Sequence, residues 1–157
     1  MNKLIIMSGI PGCGKTTLSH QLQTHYQETF NKRVAIVSSD DVRADVAGTA
    51  QNHDHEKEVW QEFETRIKTA SLVYDIVIAD STAVTNNLRL QWFNRFKGFF
   101  DRIELNWFNI PFGVCWERNL QRIIPVPLDV MANLYRMYQD PSREVKEIFD
   151  GVVEIKE

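Results

Sequence analysis

The chain has 157 residues, 43% hydrophobic and 25% charged, with a formal net charge of −3. That length and balance predict one globular domain over residues 1–157, and the acidic total excludes a general nucleic-acid coat while allowing a local positive channel. The two cysteines, Cys13 and Cys115, cannot build a disulfide framework and suggest a reducing, cytoplasmic setting; no signal pattern and no apolar run of ~20 residues points to a membrane.

Short apolar runs alternate with longer helical patterns, without repeats or low-complexity tracts. This predicts an α/β architecture: a parallel sheet of about five strands flanked by helices. Lys3–Met7 reads as the first strand. The helix that starts near Lys15 carries Leu18, Leu22, Tyr26 and Phe30 four apart, as one apolar stripe. Val34–Ser38 is the second strand, and Asp41 is expected to cap the helix after it. His53-Asp54-His55-Glu56 opens a long helix, with Asp54 as cap and early Glu suiting the dipole. Its buried face is Val59, Phe63, Ile67, Ala70 and Val73.

Ile76–Asp80 is the third strand. Asn86–Lys97 reads as a helix closed by Gly98 at C′. Trp92, Phe93, Phe96, Phe99 and Phe100 read as core, and Arg89, Arg95, Lys97 and Arg102 as solvated charges. Ile103–Ile110 is the fourth strand and Phe112–Arg122 a helix on which Cys115 is an inert core thiol. Leu128–Gln139 is a helix begun after Pro127 and ended before Pro141. A short helix over Ser142–Phe149 and a strand over Val152–Lys156 close the chain.

Between the first strand and helix lies Gly9-Ile10-Pro11-Gly12-Cys13-Gly14-Lys15-Thr16-Thr17. Its Walker A spacing in a strand-loop-helix context predicts a triphosphate site. The glycines let successive N–H groups curl around a phosphate, and the helix adds its positive end. Lys15 is expected to bridge the β- and γ-phosphates of ATP and the Thr16 hydroxyl to ligate Mg²⁺. Gly9, Pro11, Gly12, Cys13, Gly14 and Thr17 complete the expected donor cradle.

A motor needs a catalytic Glu after the strand-terminal Asp, but Ser81-Thr82 follows Asp80. A guanine reader of the form Asn-Lys-x-Asp is missing, since Asn31-Lys32 runs into Arg33-Val34. Asp45-Val46-Ala47-Gly48 has the form of a γ-phosphate sensor but falls in a helical pattern. A kinase instead needs a carboxylate for the acceptor hydroxyl and cations for the phosphoryl oxygens. Ser39-Asp40-Asp41-Val42-Arg43 lies at the carboxyl edge of the sheet, where open α/β sheets bind ligands. Asp40 is the expected base, and Arg43 could hold a neighbouring phosphate. Arg118 and Arg122, four apart on one expected helix, would share a face about 6 Å apart. With the stiff Ile123-Ile124-Pro125-Val126-Pro127 connector they form an expected lid over residues 112–139.

Four ordered blocks carry a family likeness: GIPGCGKTT, SSDDVR, VIADSTAVTNNLRLQW and NIPFGVCWERNLQRIIPVPLDVMANLYRMYQ. Together they resemble the 5′-kinase domain of bacteriophage polynucleotide kinase, a P-loop kinase. The resemblance implies Asp40 as general base on a 5′-hydroxyl and Arg43 on the phosphate 3′ of the acceptor nucleoside. It implies metal support from Asp80, acceptor-phosphate contact from Asp80 and Ser81, Arg122 on the transferring phosphoryl and Arg118 on the donor. Val126 would pack on the acceptor's terminal base. The Asp-x-Asp-Gly-Thr phosphatase motif of familiar members is missing; Ile148-Phe149-Asp150-Gly151 only echoes it.

The leading expectation is transfer of the ATP γ-phosphate, with Mg²⁺, to the 5′-hydroxyl end of RNA or DNA. A small-molecule kinase of the same fold and a non-catalytic ATP-binding module are the alternatives. Membranes are not expected as partners; a homo-oligomer and a separate phosphatase or ligase stay open.

Overall fold

The computed structural model describes residues 1–157. In chain order the elements are β1 (Lys3–Ser8), α1 (Lys15–Phe30), β2 (Val34–Ser38), α2 (Ser39–Ala47), α3 (Glu56–Ser71), β3 (Ile76–Asp80) and α4 (Asn86–Phe96). β4 (Arg102–Asn109), α5 (Phe112–Leu120), α6 (Leu128–Met137), α7 (Arg143–Ile148) and β5 (Gly151–Lys156) follow. All strand pairs are parallel, in the order β2-β3-β1-β4-β5. The expected parallel five-stranded sheet with flanking helices is therefore present.

Period-2 alternation splits the sheet's apolar residues between two helical layers. Leu4, Ile6, Val77, Ala79, Ile103 and Leu105 face one layer, against Val42 of α2, Val59, Phe63 and Ile67 of α3, and Trp92 and Phe96 of α4. Ile5, Met7, Ile76 and Ile78 face the other, against Leu18 and Leu22 of α1, Cys115 of α5 and Met131 of α6. Trp92 and Phe96 stack with centroids 5.4 Å apart, as expected of core aromatics. Register then fixes the site: Ser38 lies beside Asp80, and Asp80 beside Met7, so β1, β2 and β3 deliver their loops to one edge.

Several local expectations fail for identifiable reasons. Phe30, in the last turn of α1, is exposed, and its ring meets those of His25 and Tyr26 on its own helix rather than the core. Val73 lies beyond α3, in the turn before β3, and is likewise exposed. Ser38, not Asp41, caps α2: its hydroxyl accepts from the Asp41 N–H at 3.4 Å. Asp54 does not cap α3 either; His55 occupies that position, and the Asp54 N–H donates to Asn52 Oδ1 at 3.0 Å. Gly98 follows the C-cap Lys97 without a positive φ. Phe99 is half-exposed, with Lys68 over its ring.

Candidate functional site

The loop from Gly9 to Gly14 turns from β1 into α1 through two left-handed glycines, Gly12 at φ 83° and Gly14 at φ 105°. A Cβ on Gly12 would lie 2.3 Å from the Cys115 carbonyl oxygen, so loop backbone and α5 backbone touch there without room for a side chain. The Lys15 ammonium donates to Gly9 O at 2.7 Å and Ile10 O at 3.1 Å, folded onto its own loop. The Thr16 hydroxyl donates to Asp80 Oδ2 at 2.8 Å, joining the first turn of α1 to the end of β3. Asp80 and Ser81 are buried.

Asp40 projects into solvent from the first turn of α2, and its Oδ1 accepts from Arg43 Nη1 at 2.9 Å. Arg43 is buried and does not reach free into the cleft. Glu56, at the start of α3, takes its Nε at 3.0 Å and Nη2 at 3.3 Å as a fork. His53 Nδ1 in turn contacts Glu56 Oε1. The row Asp40–Arg43–Glu56–His53 gives Glu56 a role the sequence did not announce, because its partner is 13 residues away across a loop. A fork on a buried guanidinium fixes direction as well as charge, so Arg43 is oriented from two sides.

On the other flank, α5 ends at Leu120, two residues before Arg122. Arg118 and Arg122 therefore do not share a helix face. Arg118 lies on the last turn, its Nη1 donating to Cys13 O at 3.3 Å, whereas Arg122 sits exposed in the following turn. In the last turn of the helix Asn119 points inward. Fully buried, it donates to Val126 O at 2.8 Å and accepts from Val126 N at 3.0 Å, pinning the proline-rich connector. Val126 is half-buried beside α6.

Arg89, read from the sequence as a solvated charge, is fully buried. Its guanidinium donates to Ser8 Oγ (3.1 and 2.9 Å), Ala83 O (3.2 Å) and Asn86 Oδ1 (2.8 Å). The Tyr138 ring lies 5.4 Å from its central carbon, and the Tyr138 hydroxyl donates to Ser8 O at 2.7 Å. Burial holds the Arg89 pKa below the ordinary arginine value, against the opposing pull of Tyr138. Gly9 N donates to Thr82 O at 2.9 Å, so this bundle anchors the root of the phosphate loop and the Ser81–Ala83 turn together. Ala83 at φ 44° is held left-handed by these bonds. Helical periodicity places Arg89 on the same face as Trp92 and Phe96, which was the available signal.

A cleft of about 970 Å³ joins these parts: it is lined by Lys15, Thr16, Asp40, Arg43, Asp80, Arg118, Arg122 and Val126 among others. The residues fit a magnesium triphosphate. Two glycines leave the loop amides free to point inward, a lysine ammonium rests on loop carbonyls, and a hydroxyl–carboxylate pair sits beside them. No cluster of three His, Cys, Asp or Glu side chains could hold a metal alone. Mg²⁺ takes one or two protein oxygens plus phosphates and waters, and the Thr16 hydroxyl and Asp80 carboxylate are oxygens of that kind.

Residues 2–147 match the family described as "Chromatin associated protein KTI12". Protein kti12 of Schizosaccharomyces pombe is 25% identical over 149 residues, 88% of this chain and 52% of that protein. An L-seryl-tRNA(Sec) kinase of Methanococcus maripaludis is 26% identical over 144 residues, 88% of this chain and 53% of that one. The chain thus spans about half the length of the curated relatives it matches. Chaetomium thermophilum Kti12, solved in complex with ADP-AlF3, superposes with a TM-score of 0.74 at 19% identity, over 98% of this chain and 88% of that one. A chain of the Pnkp1/Rnl/Hen1 RNA repair complex superposes with a TM-score of 0.73 at 20% identity, over 95% of this chain and 46% of that one. At these identities the two structures establish the P-loop kinase fold. The narrower likeness to polynucleotide kinase is one among several kinases sharing it.

Proposed function

The chain belongs to the KTI12 family, and we propose that it is an ATP-dependent phosphotransferase whose acceptor is a hydroxyl at the 5′ end of a polynucleotide. One observation carries the reading: Asp40, tied to Arg43 at 2.9 Å, opens into the same cleft as Lys15 and Thr16. A pure nucleotide-binding module needs the lysine and threonine but has no use for a carboxylate oriented by a buried arginine.

In this account Lys15 leaves its carbonyl contacts for the donor phosphates, and the Thr16 hydroxyl, with Asp80 beside it, would hold Mg²⁺. Bound ATP with Mg²⁺ supplies the activated γ-phosphoryl group. Asp40 accepts the proton of the attacking hydroxyl, whose oxygen bonds to phosphorus as the bridging bond to ADP breaks. Such a positioned base contributes ~10²–10⁴ in rate. Arg43, held by Glu56, orients Asp40, and from the cleft lining it would meet the acceptor's next phosphate once drawn from its carboxylate partners. The segment 112–139 acts as a lid: Arg118 clamps the donor, and Arg122 swings from its exposed turn onto the transferring phosphoryl. Ser81 and Val126 border the acceptor. The oriented Asp40–Arg43 pair and the fold shared with an RNA repair complex support this acceptor.

A second reading places the hydroxyl on the seryl group of a charged tRNA, favoured by the match to an L-seryl-tRNA(Sec) kinase over 88% of the chain. Incubation with γ-labelled ATP and 5′-hydroxyl oligonucleotides, charged tRNA, nucleosides and sugars separates the readings. Label on oligonucleotide ends is expected. Label confined to charged tRNA moves the acceptor to the second reading, and release of phosphate to water alone overturns both.

A further inference from the structure

The same cleft has apolar lining beyond the groups that handle phosphate: Trp60 of α3, and Pro125, Val126, Pro127, Val130 and Leu134. These come from opposite layers of the molecule. Trp60 packs with the cluster on one face of the sheet, and Val126 and Leu134 with the cluster on the other. The cleft therefore draws an aromatic ring from one layer and an apolar wall from the other.

Trp60 is held in place rather than free to collapse. Phe63 meets it edge-on at 5.4 Å and 85°, and Trp92 supports it at 6.0 Å and 49°. It nonetheless remains only partly buried and lines the cleft. In the same cleft, Val130 and Ile124 are 44% and 56% exposed. Exposed apolar surface costs ~25 cal/mol per Å² relative to burial, so a wall of this kind inside a cleft calls for an apolar occupant. The cations Lys15, Arg43, Arg118 and Arg122 line the same cleft. A ligand matching both is flat and apolar at one end and phosphorylated along the other, which describes a nucleotide rather than a sugar or a polyol acid.

We propose that Trp60 is a specificity-determining residue that stacks on the terminal base of the acceptor, with the Pro125–Val130 wall closing over the base's other face. The inference rests on the polynucleotide reading of the site and names the part of the acceptor that this site selects. Polyol acceptors leave both surfaces uncovered.

The test uses the full chain and two 3′-fluorescein RNA 12-mers with 5′-hydroxyl ends, identical except that the first nucleotide carries adenine or is abasic. Fluorescence anisotropy gives both affinities. Alanine replacement of stacking aromatics sets the scale, so adenine is expected to bind roughly 5- to 150-fold tighter than the abasic end. Trp60→Leu is expected to cut that ratio below about threefold, and Trp60→Phe, with a smaller ring, to fall between. Equal binding of the two RNAs by the unaltered protein, or an undiminished ratio in Trp60→Leu with a normal melting profile, overturns the proposal. If Trp60→Leu does not fold, an undiminished ratio in Trp60→Phe does so. Discriminating RNAs that accept no label retire the kinase reading and leave the base site standing; label transfer without discrimination does the reverse.

Discussion

Gly12→Ala isolates the phosphate loop from everything else in the cleft. The new Cβ would sit 2.3 Å from Cys115 O, 3.1 Å from its carbonyl carbon and 3.3 Å from its Cα. Carbon contacts are comfortable at ~3.5–4.0 Å, so the two backbones must part by about 1 Å. Cys115 is fully buried on α5, within a close-packed layer that resists movement, so the loop yields. Alanine at φ 83° adds ~1–2 kcal/mol of backbone strain. If two loop N–H groups swing out of line, each lost charge-assisted hydrogen bond costs ~1.5–3 kcal/mol. The sum for binding is ~3–6 kcal/mol, or roughly 10²–10⁴ in ADP affinity. Calorimetric titration with ADP measures it, and a thermal melt verifies that the chain still folds. Gly113→Ala, whose Cβ would meet nothing within 4 Å, is the matched control and should bind normally. Gly12→Ala binding ADP within about fivefold of the unaltered protein would refute the assignment of this loop as a backbone phosphate cradle.

Three further perturbations probe the rest. Asp40→Asn should leave ADP affinity within about twofold while lowering label transfer ~10²-fold or more; near-normal transfer in a rapid-quench assay removes Asp40 as the base. Arg89→Met leaves Ala83 O and Ser8 Oγ with each other, at 2.8 Å, and Asn86 Oδ1 with the Ser142 N–H at 3.1 Å, but removes all four guanidinium bonds that tie these groups together. A loss of ~1–3 kcal/mol, read as a Tm drop of ~2–10 °C, is expected, and an unchanged Tm contradicts the anchoring role. Burial, with the nearby Cys13, raises the Cys115 pKa from 9.0 to about 11. The buried thiol therefore favours folding fully below pH 9, and that contribution, up to ~3 kcal/mol, fades as pH climbs through about 11. Denaturant midpoints from pH 8 to 11 should decline less steeply in Cys115→Ala, and parallel slopes would exclude the thiol.

The strands were legible because a parallel sheet covered on both faces writes itself as uninterrupted apolar runs, and Val34–Ser38 and Ile76–Asp80 were read to the residue. The loop between β1 and α1 was legible because its glycine turn is written in local spacing. Side chains whose partners are remote were not. Arg43 reads as a free cation until Glu56 arrives from the next helix to claim it. Arg89 reads as a surface charge until α4 turns it against Ser8. The end of α5 was misplaced because the helical pattern runs on through Gln121, while the chain leaves the helix after Leu120 and returns to bond Val126 to Asn119. Arg122 thereby left the shared face that its spacing suggested. For Arg43 and the end of α5 a tertiary bond invisible to periodicity overrode a local rule, whereas Arg89 shared its helical face with Trp92 and Phe96 and was misread by its charge.

The central claim is phosphoryl transfer to a polynucleotide end, and its most direct measurement is label transfer from γ-labelled ATP to a 5′-hydroxyl RNA, resolved on a sequencing gel. Mg²⁺-dependent labelling of the 5′ end is expected, abolished by Lys15→Ala and by a 5′-phosphate on the RNA. ATP binding with no label on any 5′-hydroxyl RNA or DNA would contradict it.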